Sequence, residues 1–331
     1  MPGGKPAHDN LSSRDKPRVH MNPIRKFDIL VPGEINPDLI LSGNVEPAFG
    51  QVEKLVESAE LAIGSSSAIF ACGAARLGLR VAFVGLCGED TFGRFMLEEI
   101  NSRGVDTSSI LVRPGEKTGL SVILNKGADR AILTHTGLID SLTAAEVSDD
   151  LLSSARHLHV ASYFLQKNLQ PGLSDLFSRA HTLGLSTSLD TNWDPSGQWQ
   201  GINELLPQVD VFLPNEKEAL ALARMTDLES AVEQIAATCR VVAVKLGRGG
   251  AIARRGDTTA RTPAVKVDVV DTIGAGDAFD AGFLYGFLNG WELEKSLGLA
   301  TACGSLSTRR TGGTAAQPGL EEAMQHVPPL G

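Results

Sequence analysis

The run Asp271-Thr272-Ile273-Gly274-Ala275-Gly276-Asp277-Ala278-Phe279 sets two carboxylates on either side of a glycine pair. After it, Phe279, Phe283 and Phe287 recur every fourth residue with Leu284 and Leu288 beside them, the pattern of an amphipathic helix. Before it, Val265, Val267 and Val269 alternate with Lys266 and Asp268, which predicts a half-buried strand. The glycines therefore fall at a strand-to-helix junction. There the first helical N–H groups have no intrahelical partner and carry the positive end of the helix dipole, so they attract an anion. Gly274 and Gly276 have no Cβ, and the backbone can approach that anion closely. Asp277 is then open to two readings. It is an N-cap, or it accepts a proton from a hydroxyl group that attacks a phosphorus atom held on the amides.

The elements that would position this junction follow from periodicity. From Phe27 onward, short apolar runs alternate with helical patterns, the signature of βαβ units and a mostly parallel sheet covered on both faces. Strands are read in "FDILVPG", "RVAFVGLCG", "HLHVAS", "STSLDTN", "VFLPN" and "VVAVKLG", and helices in "SAIFACGAARLG", "FGRFMLEEINSRG", "QPGLSDLFSRAHTLG", "NEKEALALAR" and "DLESAVEQIAATC". Two segments break the rhythm, 38–50 and 116–136. Both read as β-strands without intervening helices, the second with a turn at Lys126-Gly127, and together they predict a small sheet lying over one end of the main domain.

Composition narrows the function classes. The 331 residues, 42% hydrophobic and 21% charged, describe a globular chain with a large core, and residues 26–331 are expected to form it. A net charge of −9 argues against nonspecific binding to nucleic acid or to an anionic membrane, so an anionic ligand needs a local positive site. Cys72, Cys87, Cys239 and Cys303 are far apart, with no metal-ligand spacing, and read as small buried hydrophobes. No apolar run approaches the roughly 18 residues of a membrane span. Residues 1–25 are polar, lack a signal-peptide core and are read as a disordered extension of a cytoplasmic protein.

The motif from Asp271 to Phe279, with Ala281-Gly282-Phe283 after it, resembles the C-terminal signature of the ribokinase-like, or phosphofructokinase-B, family of carbohydrate and nucleoside kinases. The resemblance extends over about residues 27–328 and implies a three-layer αβα sandwich with a central, mostly parallel sheet and a small β-sheet lid. It implies that Asp277 is the catalytic base and that the amides of Gly274, Ala275 and Gly276 form an anion hole for the transferred phosphoryl group. In "PGEINPDLIL" it places Asp38, with Asn36 beside it, on the sugar hydroxyls. In "AIGSSSAIF" the family's Gly-Gly motif and sugar-contacting asparagine are replaced at Ile63 and Ala68, leaving Gly64, Ser65 and Ser66 to meet the acceptor or to cap a helix.

The same resemblance assigns nucleotide contacts to Asn192 in "SLDTNWDPSGQW", where Asp194 stands in the place of a common basic residue, and to Asn215, Lys245, Gly247, Gly250 and Gly276. Asn215 and Glu218 would organise Mg2+ and phosphate through water, although by position alone they read as an N-cap and its capping-box partner. A potassium ion is implied near the carbonyls of Asp271 and Ile273. The expected reaction is transfer of the γ-phosphoryl group of ATP to a hydroxymethyl group of a furanose-type sugar or polyol. Two alternatives stay open. One is a nucleoside kinase using Tyr163 and Phe164 as an aromatic clamp, with Gln166 as a further acceptor contact; the other is a silent sugar- or nucleotide-binding regulator, against which the intact Gly274–Asp277 run argues. Lid strands in such kinases either cover one subunit's site or pair across a homodimer.

Overall fold

The structure, a computed structural model, describes residues 25–126 and 129–328. The expected N-terminal extension lies outside the described residues, apart from Arg25. In chain order the first half comprises β1 (Phe27–Pro32), β2 (Pro37–Ser42), β3 (Ser58–Ile63), α1 (Ser66–Arg76), β4 (Val81–Gly88), α2 (Thr91–Ser102), β5 (Asp106–Arg113), β6 (Leu120–Lys126) and β7 (Asp129–His135). The second half begins with α3 (Asp149–Ser153), β8 (Ala155–Val160), α4 (Leu173–Thr182), β9 (Ser186–Leu189), α5 (Ile202–Leu205), β10 (Val211–Phe212), α6 (Glu216–Ala223) and α7 (Leu228–Ala236). It closes with β11 (Val241–Lys245), β12 (Ala251–Arg255), β13 (Thr258–Thr262), α8 (Ala275–Leu288), α9 (Leu293–Ser307) and α10 (Leu320–Met324).

Nine strands form one sheet in the order β13-β12-β11-β10-β9-β8-β1-β4-β5. The pairs from β11 to β5 are parallel, and only β12 and β13 run antiparallel at one edge. The central strands are apolar on both faces because each face is covered. Ile29, Val31, Phe83 and Ala243 meet Phe70 of α1, Met96 of α2 and the apolar side of α8 and α9. Leu30, Val84, Leu158, Phe212 and Val244 meet Phe177 of α4, Leu222 of α6 and Ile235 of α7. The result is the expected three-layer α/β sandwich. All four cysteines are free and buried, and burial pushes the thiols of Cys72, Cys239 and Cys303 up to about 12. Among the described residues no helix is long and apolar enough to cross a membrane.

The second sheet has four strands, in the order β3-β2-β6-β7. It differs from the expected lid in two ways. The strand read over 38–50 stops at Ser42, and β3 pairs antiparallel with β2, a partner not read from the sequence. "SAELAI" is rich in good helix formers, and strand pairing overrides that local preference. The hairpin of β6 and β7 is present, with Lys126 opposite Asp129; the predicted turn residue Gly127 lies outside the described residues.

A further correction concerns the approach to the glycine motif. Residues 263–271 form no strand, because the sheet edge is already taken by β13 and nothing offers Val265–Val269 a ladder. The segment runs along α9 instead, Val265 N–H donating to Ser305 Oγ at 3.1 Å and Val270 N–H to the Thr308 carbonyl at 2.8 Å.

Candidate active site

Open parallel sheets bind ligands outside the carboxyl ends of their strands, and this chain gathers its polar groups there. A cavity of about 440 Å³ is lined by Asp38, Ser65, Ser66, Asp190, Asn192, Asn215, Glu218, Lys245, Gly247, Gly274, Gly276 and Asp277, with Ile123, Arg130 and Ile132 reaching in from the small sheet. Asp190 follows β9, Asn215 follows β10 and Lys245 ends β11. The chain thus closes one cavity from both sheets and from the start of α8.

That helix starts without a side-chain cap. Gly274 is its N-cap in the left-handed region at φ 72°, where a Cβ would also lie 2.6 Å from the Gly313 Cα. Ala275 N–H turns back to the Thr272 carbonyl at 3.3 Å, whereas the N–H groups of Gly274, Gly276 and Asp277 have no protein partner among the described residues. Asp277 occupies the first turn, is buried, and lies against the Ser66 hydroxyl. Burial, reinforced by the charges of Asp190 and Glu34, pushes its carboxyl up to about 8, while Lys245 and Ser66 oppose the shift.

Beside it sits a compact charge cluster. Lys245 Nζ is 2.8 Å from Asp190 Oδ2 and 3.0 Å from Asp280 Oδ1. Burial works against the ammonium, but the two aspartates more than compensate and raise its pKa. Burial also opposes the Asp190 carboxylate, which Lys245 nevertheless holds below its ordinary range; Asp280 is pushed well up by burial, against the pull of Lys245. Asp190, Asp277 and Asp280 can bring carboxylate oxygens within 4.8 Å of one another.

At the start of β2, Asp38 is buried, with Asn36 Nδ2 donating to its Oδ1 at 3.3 Å, and burial pushes its carboxyl up to about 7. Gly64 is where these two side chains pass: a Cβ there would stand 2.2 Å from Asp38 Oδ1. Ser65 caps α1, accepting from Ala68 N–H at 2.9 Å. Asn192 lines the cavity with its amide nitrogen tied to its neighbours: Nδ2 donates to Ser66 Oγ and Ser162 Oγ, both at 2.9 Å. Ser162 donates in turn to Glu34 Oε1 at 2.9 Å, and Ser67 Oγ donates to Glu34 Oε2 at 2.6 Å. Ser65, Ser162 and Asn192 all have positive φ, a backbone strain that this network over-determines.

Other sequence-derived candidates sit elsewhere. Gln166 is buried, with its Nε2 donating to the Ala161 carbonyl at 2.6 Å, and does not line the cavity. Gly250 is outside the lining, in the turn between β11 and β12. Tyr163 and Phe164 do not form a clamp: Phe164 packs edge-on between Tyr163 and Trp199. Asp194 closes its own loop by accepting from the N–H groups of Ser196, Gln198 and Trp199. Sequence reasoning missed Glu34, Asp280, Ser162 and Arg130. Only Asp280 carried a local signal, a second acid one helical turn after Asp277.

Asn215 and Glu218 form the capping box of α6. Glu218 N–H donates to Asn215 Oδ1 at 3.0 Å, and Glu218 Oε2 accepts from Asn215 N–H at 2.8 Å. Burial and the charge of Asp190 push the Glu218 carboxyl up to about 7. A carboxylate short of positive charge at the cavity wall fits a hydrated divalent cation. The carbonyl oxygens of Asp271 and Ile273 accept no hydrogen bond among the described residues, whereas the Asp271 carboxylate is taken up by the N–H groups of Ile273 and Gly312.

Known proteins resemble this chain in sequence and in fold. An ATP-dependent ribose-1-phosphate kinase of Halopiger xanaduensis is 29% identical over 87% of this chain and 94% of its own length. A 5-dehydro-2-deoxygluconokinase of Geobacillus thermodenitrificans is 27% identical over 80% and 84%. The crystal structure of adenosine kinase from Sinorhizobium meliloti superposes with a TM-score of 0.79 at 25% identity, covering 91% of this chain and 99% of that one. Residues 27–319 match the pfkB family of carbohydrate kinases, and the chain is a sugar kinase belonging to that family.

Proposed function

We propose that this chain transfers the γ-phosphoryl group of ATP to a hydroxymethyl group of a sugar, with Asp277 as general base. The observation that carries the reading is a buried carboxylate in the first turn of α8, beside amides without protein partners and across one cavity from Asp38. The acceptor oxygen attacks Pγ as its proton passes to Asp277, the bond from Pγ to the β,γ-bridging oxygen breaks, and ADP leaves. The amides of Gly274 and Gly276, with Ala275 between them, meet the charge that develops on the phosphoryl oxygens. Asp38 and Asn36 orient the acceptor hydroxyls, with Gly64, Ser65 and Ser66 on the same wall. Asn192, Lys245 and Gly247 line the nucleotide side, where Lys245 holds Asp190 and Asp280 in place.

Glu218 and Asn215 would hold a magnesium ion through water, and the ion would supply positive charge to offset that of the phosphates. Potassium, on the carbonyls of Asp271 and Ile273, would fix the loop that carries the anion hole. The cavity's apolar wall is aliphatic, consisting of Ile69, Ile123, Ile132 and Ile273. That wall favours a sugar over a nucleoside, whose base gains from aromatic stacking. The relatives' names point the same way, one to a sugar phosphate and one to a sugar acid.

The face of the small sheet that carries Leu39, Leu41, Val122 and Leu124 points away from the cavity, with Leu61 and Leu133 exposed on it. A second copy of the chain is the partner we assign to this face, tested by sedimentation of wild type and Leu133→Lys over a concentration series. The catalytic reading is tested by ADP release from Mg-ATP with potassium, against pentoses, hexoses, keto-sugar acids, sugar phosphates and nucleosides, with Asp277→Asn as the blank. Turnover of a sugar that vanishes in the blank supports the reading. Turnover that persists in the blank removes Asp277 from its role.

A further inference from the structure

Four carboxyl groups line the cavity, those of Asp38, Asp190, Glu218 and Asp277, against two cations, Lys245 and Arg130. Lys245 is spoken for, held between Asp190 and Asp280 by contacts of 2.8–3.1 Å. Arg130 stands apart. It lies at the start of β7, opposite Asn125 of β6, and the pairing of Ile132 with Ile123 puts Arg130, Ile132 and Ile123 on the sheet face that looks into the cavity. The parallel register of β2 with β6 adds Asp38 and Ile40 to that face. Among the described residues no carboxylate forms an ion pair with the Arg130 guanidinium, although its charge reaches Asp38.

A guanidinium in this position does little for a neutral polyol. It presents a rigid fork of donors that matches a carboxylate or a phosphate in bidentate fashion. An anionic acceptor, in turn, needs a cation not already paired, because every other ionisable side chain of the lining except Lys245 is a carboxyl group. Arg130 enters from the small sheet and Asp277 from α8, so the two groups address the acceptor from opposite walls.

We infer that the acceptor sugar carries an anionic group, a carboxylate or a phosphate monoester, and that Arg130 binds it while Asp277 faces the hydroxyl to be phosphorylated. The inference rests on the kinase reading above and adds the substrate class. Arg130 is exposed, so its replacement leaves the core intact.

The test is steady-state kinetics of wild type, Arg130→Gln and Arg130→Lys, with ribose 1-phosphate compared with ribose, and 2-dehydro-3-deoxygluconate compared with fructose. The same probes are titrated calorimetrically into each protein. The expected result is a preference of at least roughly tenfold in kcat/KM for one anionic probe, whose KM rises roughly 10- to 100-fold in Arg130→Gln with partial rescue in Arg130→Lys and no change in the KM for ATP. The probe that is turned over distinguishes phosphate from carboxylate. Equal or better use of the neutral sugars overturns the inference and leaves the kinase standing, as does a rise in the KM for ATP alone. Binding of an anionic probe that Arg130→Gln abolishes, without ADP release, supports the inference and removes the kinase reading. Neither binding nor turnover of any probe overturns both.

Discussion

Helices α6 and α8 both begin at the cavity, and both carry an acid at the third helical position. In α6 the N-cap is Asn215, whose side chain bonds the Glu218 N–H while the Glu218 carboxylate returns the bond to the Asn215 N–H. In α8 the N-cap is Gly274, which has no side chain and sits at φ 72°. Asp277 therefore has no cap to complete, and the amides around it stay open. An acid at the same helical position completes a cap at one terminus and has no cap partner at the other. The N-cap residue decides which, because it determines whether the terminal N–H groups are satisfied from within the chain.

The largest effect should come from the open terminus. Asp277→Asn keeps the size and burial of the side chain and removes its basicity, so turnover should fall on the order of 10²- to 10⁴-fold with ATP binding retained. Calorimetric ATP titration beside the rate measurement separates the two. Near-normal turnover would remove Asp277 from proton transfer. The next effect is expected at Gly274→Ala. The new Cβ would lie 2.6 Å from the Gly313 Cα and 2.8 Å from Ile69 Cγ2, at a φ that an L side chain resists. The motif has to shift, at a cost of about 1–3 kcal/mol in stability. Turnover should drop by on the order of 10²-fold, as when one oxyanion donor is displaced. Unchanged kinetics would mean that these amides do not meet the phosphoryl group.

Much of this contrast is legible in the sequence, for reasons that differ by region. Central strands such as "FDILVP" and "VVAVK" are buried on both faces, so their apolar runs are unbroken and their ends fall close to the observed ones. The small sheet was harder. Only one of its faces covers the cavity, and Ala59, Glu60 and Leu61 of β3 favour a helix until β2 supplies a partner. At the site, Asp277 is visible because the glycines and the amphipathic helix around it are local. Glu34 and Arg130 are not, since each acquires meaning only from residues far along the chain: Glu34 from Ser67 and Ser162, and Arg130 from the cavity that the second sheet closes.

The closed terminus should respond more mildly. Asn215→Ala removes the cap and should cost about 1 kcal/mol of stability, read by denaturant unfolding. It also frees Glu218 from one of its tethers, so the magnesium concentration for half-maximal rate should rise several-fold while kcat at saturating magnesium changes little. A fall in kcat of the size expected for Asp277→Asn would erase the distinction between the two helices.

The smallest effect is a pH dependence of stability, and its sign follows from burial. The Asp277 carboxyl is pushed up to about 8 in the folded chain, against an ordinary value of 3.8. The folded state therefore holds this proton over a range in which the unfolded chain has lost it. Its contribution to stability is fully present below about pH 4, declines as pH rises, and is gone once pH passes about 8. Asparagine stays neutral throughout and escapes the repulsion from Asp190 and Glu34. The melting temperature of wild type should thus fall relative to that of Asp277→Asn as pH rises from 5 to 9, leaving the variant the higher-melting protein at the alkaline end. Glu218 also titrates near 7, but it does so in both proteins, and its contribution cancels in the difference. Parallel curves from pH 5 to pH 9 would show that Asp277 ionises in the folded chain as it does in the unfolded one. The open terminus would then lack the perturbed carboxyl that distinguishes it from a cap.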